Sequence, residues 1–365
     1  MIEFKLPALG ADMDEGTLLE WKVQAGDAVK KGQVVAVVDT TKAAVDVECW
    51  QDGTVHELVA QPGDKMPVGT LMATLLEPGE QPGAKVSRGG TPPPRRMVSP
   101  AARKAAAERG VDLGRVAGTG PQGAVTLEDV EKAAPGIAPP TDKAAEMRKA
   151  IAAAMARSKR EIPHYYVAED IVLAKALAWL QAANATRPMA ERLLPAALLL
   201  KAVAVTLKRY PELNGHWRDG AYQPAAQVNL GVAISLRQGG LIAPALLDAG
   251  SKPLTQLMQE MTDLVARARA GSLRSSELGE GTITVTNLGD QGSEAVFGII
   301  YPPQVALVGF GRIAERPVVE DGAVKPLAVV SASLAADHRV SDGHRGALFL
   351  RDLADLLQRP EEIDQ

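Results

Sequence analysis

An internal duplication near the start of the chain limits what residues 1–78 can fold into more than any other feature. The stretch "AGDAVKKGQVVAVV" (25–38) aligns with "PGDKMPVGTLMATL" (62–75) at an offset of 37 residues. Gly26 matches Gly63, Asp27 matches Asp64, Gly32 matches Gly69, and the apolar positions agree. Each copy reads as a turn, a short connector and an apolar strand. Two related sets of short strands predict a small all-β sandwich with approximate two-fold symmetry. The first copy ends at "DTTK", and "AAVDVE" resumes as a return strand, Val45 and Val47 alternating with Asp46 and Glu48. Lys42 thereby falls at a hairpin tip, where a lysine on its own is most simply a solvated turn residue.

At 365 residues the chain is too long for one ordinary core, and two or three domains are expected. Residues 79–96, "GEQPGAKVSRGGTPPPRR", and 134–142, "APGIAPPTD", carry Gly, Pro and charge with little to bury, and read as linkers. The first could reach on the order of 60 Å at about 3.1 to 3.6 Å per residue. The chain divides into domains at 1–78, 97–133 and 143–365. A net charge of −4 gives no basic surplus for nucleic acid. A single cysteine, Cys49, rules out internal disulfides and suits a reducing cytoplasm. The sequence has no run of about 18 apolar residues to span a membrane, and "MIEFKLPALG" reads as a strand rather than a signal peptide. A soluble cytoplasmic protein is the expectation.

The middle segment predicts two short helices. Ser99 can cap the first, with Pro100 at its first position and Gly110 as its stop. Thr126-Leu-Glu-Asp129 has the form of a capping box for the second. "GTGPQG" between them lacks the Gly-Lys-Ser/Thr ending of a phosphate loop. The bland reading is a helical spacer. Residues 143–365 alternate helices and strands in a mixed α/β pattern. Pro195 opens a nearly all-apolar helix, 253–270 is a one-faced helix, and a closing helix runs from His344 to about Leu357. "QVNLGVAISL" and "GGLIAPAL" read as paired strands. "GFG" at 309–311 is too short for a dinucleotide fingerprint.

Two of the five histidines, His338 and His344, lie in "LAADHRVSDGHR", directly after an apolar strand. A lone histidine at a strand end is more often structural than catalytic. His338 is nevertheless placed to act as a base, for example on a thiol, whose thiolate is the nucleophile. His344 reads as structural, on the first turn of the last helix; His164 reads as architectural, and His56 and His216 carry no signal. No metal-ligand cluster is evident in the sequence.

Over almost all 365 residues the chain resembles the dihydrolipoamide acyltransferase core component of 2-oxo acid dehydrogenase complexes. "GADMDEGTLLEWKVQAGDAVKKG" with its repeat resembles the lipoyl domain, and Lys42-Ala43 aligns with the "DKA" tip that carries lipoate in amide linkage; Thr41 replaces the usual Asp. "VSPAARKAAAERGVDLGRVAGTGPQG" resembles the peripheral subunit-binding domain. That resemblance implies docking of dihydrolipoamide dehydrogenase or the thiamine-diphosphate-dependent dehydrogenase component through Arg103, with Ala124 where a second arginine is usual. "DHRVSDG" resembles the His-x-x-x-Asp-Gly run of a chloramphenicol-acetyltransferase-like α/β catalytic domain. The resemblance implies His338 as general base toward coenzyme A and Asp342 as a site-organising carboxylate, with Arg148 as its candidate partner. It also implies Thr286, in "TVTNLG", as the oxyanion donor, and a homotrimer in which His338 and Thr286 come from different chains. "TNLG" and "YPPQVALVGFG" look closer to acetyl-transferring pyruvate or acetoin members than to others. A non-catalytic organiser subunit is the rival reading, and an intact His338, Asp342 and Thr286 argue against it. Cube-forming relatives end in a leucine-rich tail, whereas "QRPEEIDQ" offers only Ile363 and Pro360 after Leu357. Burying Glu361, Glu362 and Asp364 without partners is costly, so a weakened contact between trimers is expected, with isolated trimers and a 24-subunit cube both open.

Overall fold

Alternating Val-rich segments build the first domain as two facing sheets. The computed structural model describes residues 1–7, 13, 15–40, 44–77, 99–109, 118–120, 124–133, 143–236, 240–289 and 292–364. Lys42 and both expected linkers lie outside these. Eight strands follow one another: β1 (Ile2–Lys5), β2 (Glu15–Trp21), β3 (Ala28–Val29), β4 (Val34–Asp39), β5 (Ala44–Glu48), β6 (Gly53–Leu58), β7 (Lys65–Pro67) and β8 (Leu71–Leu76). They pair in the orders β1-β8-β6-β3 and β5-β4-β2-β7. Each sheet becomes the other when β2 maps to β6, β3 to β7 and β4 to β8, which is the duplication read from the sequence.

The symmetry extends to hydrogen bonds. Gly26 and Gly63 take φ of 98° and 96°, a left-handed conformation that glycine adopts without a Cβ penalty. The Gln24 N–H donates to the Asp27 carboxylate at 2.8 Å, as the Gln61 N–H does to Asp64 at 2.9 Å. The Gly26 N–H reaches Val55 O, as the Gly63 N–H reaches Leu18 O. Phe4, Leu18, Val38, Val45, Val47 and Met72 fill the core between the sheets.

The middle segment holds α1 (Pro100–Arg109) and α2 (Leu127–Ala133). Ser99 Oγ accepts the Ala102 N–H at 3.1 Å, and Thr126 and Asp129 exchange cap bonds. The Asp129 carboxylate also accepts the Thr119 hydroxyl and N–H, and these bonds hold its carboxyl well below the usual carboxylate range. Among the described residues, Ala102, Ala105, Ala106, Val125 and Val130 form a small core here.

In the C-terminal domain, α3 (Lys143–Glu161) leads into β9 (His164–Val172), α4 (Ala174–Asn184) and α5 (Pro195–Leu207). Two short hairpin strands, β10 (Gly215–Arg218) and β11 (Ala221–Pro224), precede β12 (Leu230–Val232), β13 (Ile234–Ser235), β14 (Leu241–Ile242) and β15 (Ala245–Leu246). Then come α6 (Leu254–Ala270), β16 (Leu273–Arg274), α7 (Ser275–Gly279), β17 (Ile283–Asn287), β18 (Ala306–Phe310), β19 (Ala314–Glu320), β20 (Ala323–Asp337) and α8 (Gly343–Leu357). The main sheet has the order β15-β12-β17-β18-β20-β19, with β9 also on β20. The second half of β20 lies between β18 and β9 and is buried throughout, which its Ala- and Ser-rich sequence permits on both faces.

Helix α5 is buried nearly all round, including Lys201, whose Nζ donates to Gly250 O (3.1 Å) and Lys252 O (2.6 Å); burial pushes this amine down. Gly311, in the segment set aside as a nucleotide motif, instead admits a crossing backbone: a Cβ there would lie 1.9 Å from Glu294 O. At the end of the chain, Ile363 is buried in this domain's own core and the Asp364 carboxylate accepts the Leu254 N–H. Among the described residues no helix is long and apolar enough to cross a membrane.

Candidate active site

His338 sits on a turn whose shape is set by the residue before it. Asp337 ends β20 fully buried, and its carboxylate accepts four bonds from Arg339: the backbone N–H at 3.0 Å, Nε at 2.9 and 3.1 Å, and Nη2 at 2.6 Å. The Asp337 carbonyl also accepts the N–H groups of Val340 and Ser341. Arg339 stacks its guanidinium over Trp217, 4.4 Å from the ring centroid. A buried carboxylate needs such a partner, because an unpaired charge in the interior costs several kcal/mol. Beside this clamp a cavity of about 330 Å³ is lined by Arg157, Trp217, Arg218, Pro303, Gln304 and Arg339.

The His338 N–H donates to Pro163 O at 2.9 Å, and its exposed ring meets Tyr165 edge-on at 5.4 Å between centroids. Tyr165 in turn hydrogen-bonds Ser341 at 2.9 Å. The imidazole therefore stands on a rigid turn with its outer side open. Asp342 is the N-cap of α8: its carboxylate accepts the Arg345 N–H at 2.9 Å, which holds the carboxyl below its usual range, with smaller contributions from His344 and His338. Arg148 is an exposed residue of α3, and no ion pair among the described residues joins it to Asp342. Within one chain the Arg148–Asp342 pairing expected from the sequence is not formed, because the Asp342 carboxylate is turned onto its own helix terminus.

Thr286 lies half-buried near the end of β17, paired with Gly309, which pairs with Ser333. His338 follows five residues later, at the other end of the sheet. With about 3.3 Å per residue and about 4.8 Å between strands, the two residues are roughly 19 Å apart. One copy of the chain does not bring them together.

His164 is architectural. The Ile300 N–H donates to its Nε2 at 3.1 Å and its Nδ1 lies 2.9 Å from Ile162 O, which fits a neutral ring protonated on Nδ1; burial lowers its pKa. Ser158 Oγ donates to Ile300 O at 2.6 Å, so both polar groups of Ile300 are held. His344 is exposed on the first turn of α8, and His216 bonds Gly281 O at 2.9 Å. Sequence reasoning passed over Asp337, Arg339, Trp217 and Tyr165. A charged pair flanking the histidine in "DHR" was the available signal, but its meaning depends on burial of Asp337 between β18 and β9.

The β4–β5 hairpin closes at Asp39↔Ala44, so residues 40–43 form its link and Lys42 falls within them. Val45 and Val47 anchor the strand that follows in the core of the sandwich. Arg103 is exposed on α1, and Ala124 is half-buried.

A dihydrolipoyllysine-residue acetyltransferase component of the pyruvate dehydrogenase complex from Rhizobium meliloti is 30% identical over 442 residues, covering 98% of each chain. The mitochondrial component of the same name from Caenorhabditis elegans is 29% identical over 425 residues, 98% of this chain and 84% of that one. A solved structure of the Azotobacter vinelandii dihydrolipoamide acetyltransferase, studied for the roles of a serine, a histidine and an asparagine in its catalytic mechanism, is 30% identical with a TM-score of 0.57. It covers 60% of this chain and 90% of that one. Residues 2–75 match the family described as biotin-requiring enzyme, and 96–131 match the e3 binding domain. Residues 139–364, well over half of the chain, match the 2-oxoacid dehydrogenases acyltransferase (catalytic domain), and the protein belongs to that acyltransferase family.

Proposed function

We propose that the chain transfers an acetyl group from a lipoyl-lysine at residue 42 to coenzyme A, as the acetyltransferase of a pyruvate- or acetoin-type dehydrogenase complex. The spacing of three residues carries this reading. Thr286 precedes His338 by 52 residues and Asp342 follows it by four. The serine, histidine and asparagine of the Azotobacter vinelandii enzyme have the same spacing. Thr286 keeps the hydroxyl of that serine, and Asp342 replaces the amide with a carboxylate.

His338 removes the thiol proton of coenzyme A, since the thiolate is the nucleophile and an ordinary thiol is mostly protonated at neutral pH. The imidazolium then holds the proton until the departing sulfur takes it. Thr286 of a neighbouring copy donates its hydroxyl to the oxyanion, a contribution of about 2.7 to 4 kcal/mol. Asp342 caps α8 behind the turn and fixes where the helix starts. Bound lipoate supplies a thiol that carries the acyl group as a thioester, and a flexible tether keeps that donor at an effective concentration of about millimolar.

Residues 1–78 serve as the carrier domain, 97–133 as the docking domain and 143–365 as the catalytic domain, joined by the segments 79–96 and 134–142. Arg103 offers an exposed cation to dihydrolipoamide dehydrogenase or to the thiamine-diphosphate-dependent component. We place the protein in the cytoplasm, where one unpaired, buried cysteine is at home.

The test is acetyl transfer from acetyl-CoA to free dihydrolipoamide. His338→Ala lowers the rate about 10²- to 10⁴-fold, and an unchanged rate refutes the mechanism. Lys42→Arg leaves this rate intact and abolishes acyl loading of the chain itself, read by intact mass.

A further inference from the structure

The two-fold symmetry of the sandwich gives it two equivalent sheet edges, β1 and β5, yet the two are treated differently. Among the described residues β1 pairs only with β8. Strand β5, which begins two residues after Lys42, pairs on its outer side with β16 of the C-terminal domain. The pairing is parallel, Leu273↔Val45 and Arg274↔Asp46. An open edge presents unpaired N–H and C=O groups that accept an added strand from any suitable partner, so the one-sidedness needs side chains to explain it.

They are present at β5. The Glu48 N–H donates to Ser275 Oγ at 3.2 Å, and the Glu48 carboxylate accepts the Ser276 hydroxyl at 2.5 Å and the Ser276 N–H at 3.3 Å. Leu278 packs against the core of the sandwich and against that of the C-terminal domain. A cavity of about 600 Å³ beside these contacts is lined from one side by Lys31, Glu48 and Trp50 and from the other by Leu247, Ser276 and Glu280. Burial and the nearby Glu48 raise the Glu280 carboxyl above its usual range, while Lys31 opposes the shift. The symmetry-related edge β1 has Lys5 and Glu3, which pair with each other.

We propose that Leu273–Gly279 of the catalytic domain is a docking surface for this chain's own sandwich domain, residues 2–76, engaged by parallel strand addition to β5 and locked by Glu48 on Ser275 and Ser276. The surface selects the edge that follows the residue-42 hairpin over its symmetric twin, so the docked domain has one defined orientation. Sixty-six residues, 77–142, separate the two domains in sequence and give ample length for the approach. The inference stands apart from the catalytic roles assigned above and does not depend on them.

The pair Asp46→Cys and Arg274→Cys, introduced together in the full chain, tests the register. Paired strands hold Cα atoms within disulfide range, and the single native cysteine is buried. Mild oxidation joins the two positions within one chain, at least about ten times faster than a control pair of Asp46→Cys with Arg218→Cys. Adding Glu48→Lys lowers the rate about ten-fold, the loss expected when hydrogen bonds to a charged acceptor are removed. Hydrogen exchange at Val45–Val47 reads the same contact without cysteines: slow in the full chain, faster in Glu48→Lys. Linkage no faster than the control overturns the docking surface, and linkage between chains overturns the assignment to the chain's own domain. Exchange unaffected by Glu48→Lys overturns the lock.

Discussion

Thr286 and His338 occupy opposite ends of a single sheet, linked by the register Thr286↔Gly309↔Ser333. Strands β17, β18 and β20 are buried over nearly all the intervening length, so no side-chain rotation closes a gap of roughly 19 Å. A site that uses both residues has to be assembled from two copies.

Mixed assemblies follow directly. Chains carrying His338→Ala and chains carrying Thr286→Ala are each impaired alone. Co-assembled at equal amounts in a cyclic trimer, each site draws its histidine and its threonine from different chains, and about one quarter of sites are intact. The expected outcome is about 25% of wild-type transfer from the mixture; no recovery means that both groups come from one chain.

The Asp337–Arg339 clamp holds the turn that bears His338. Arg339→Ala leaves the fully buried Asp337 carboxylate without its guanidinium, a loss of about 3 to 5 kcal/mol. Urea unfolding of the variant checks this. Asp337→Asn combined with Arg339→Ala costs less than the sum of the two single changes, because the second change no longer strands a charge.

Acid lowers stability through His164. Its folded pKa lies below the ordinary value of 6.5, so the unfolded chain binds the extra proton more readily. The His164 contribution is complete above about pH 6.5 and is lost as pH falls through the folded pKa, where protonation breaks the bond from Ile300. Unfolding free energy measured from pH 8 to pH 5 declines on the acid side, and His164→Gln flattens that decline.

Gly311→Ala forces a backbone apart, since the new Cβ would meet Glu294 O. The expected cost is about 1 to 3 kcal/mol, with faster hydrogen exchange in residues 292–297. A neutral outcome means that the segment yields freely.

The duplicated sandwich, the helix caps at Ser99 and Thr126, and helices α5, α6 and α8 were legible because each follows from local spacing or from a cap residue. The residue types of the candidate site were legible too, through "DHRVSDG" and "TVTNLG". That they come from different chains was implied by the resemblance alone; their separation along one sheet depends on β20 running antiparallel to β18, a long-range pairing that no local pattern encodes. Arg148 as a partner for Asp342 rests on the resemblance, which pairs this carboxylate with an arginine; the competing demand of the α8 terminus is visible only once the helix start is fixed at Gly343. Asp337 reads as one more polar residue in a polar stretch until the strands on either side exclude water from it.

The paired ends of the sandwich carry a last consequence. Asp39 pairs with Thr17 near the start of β2, whereas Leu76 pairs with Thr54, next to Val55, whose carbonyl accepts Gly26 beyond the far end of β2. Entry to the residue-42 hairpin and exit toward the tether are therefore at opposite poles. The sandwich itself therefore acts as a spacer, holding Asp39, where the chain enters that hairpin, a full strand length from Leu76, where the last strand ends.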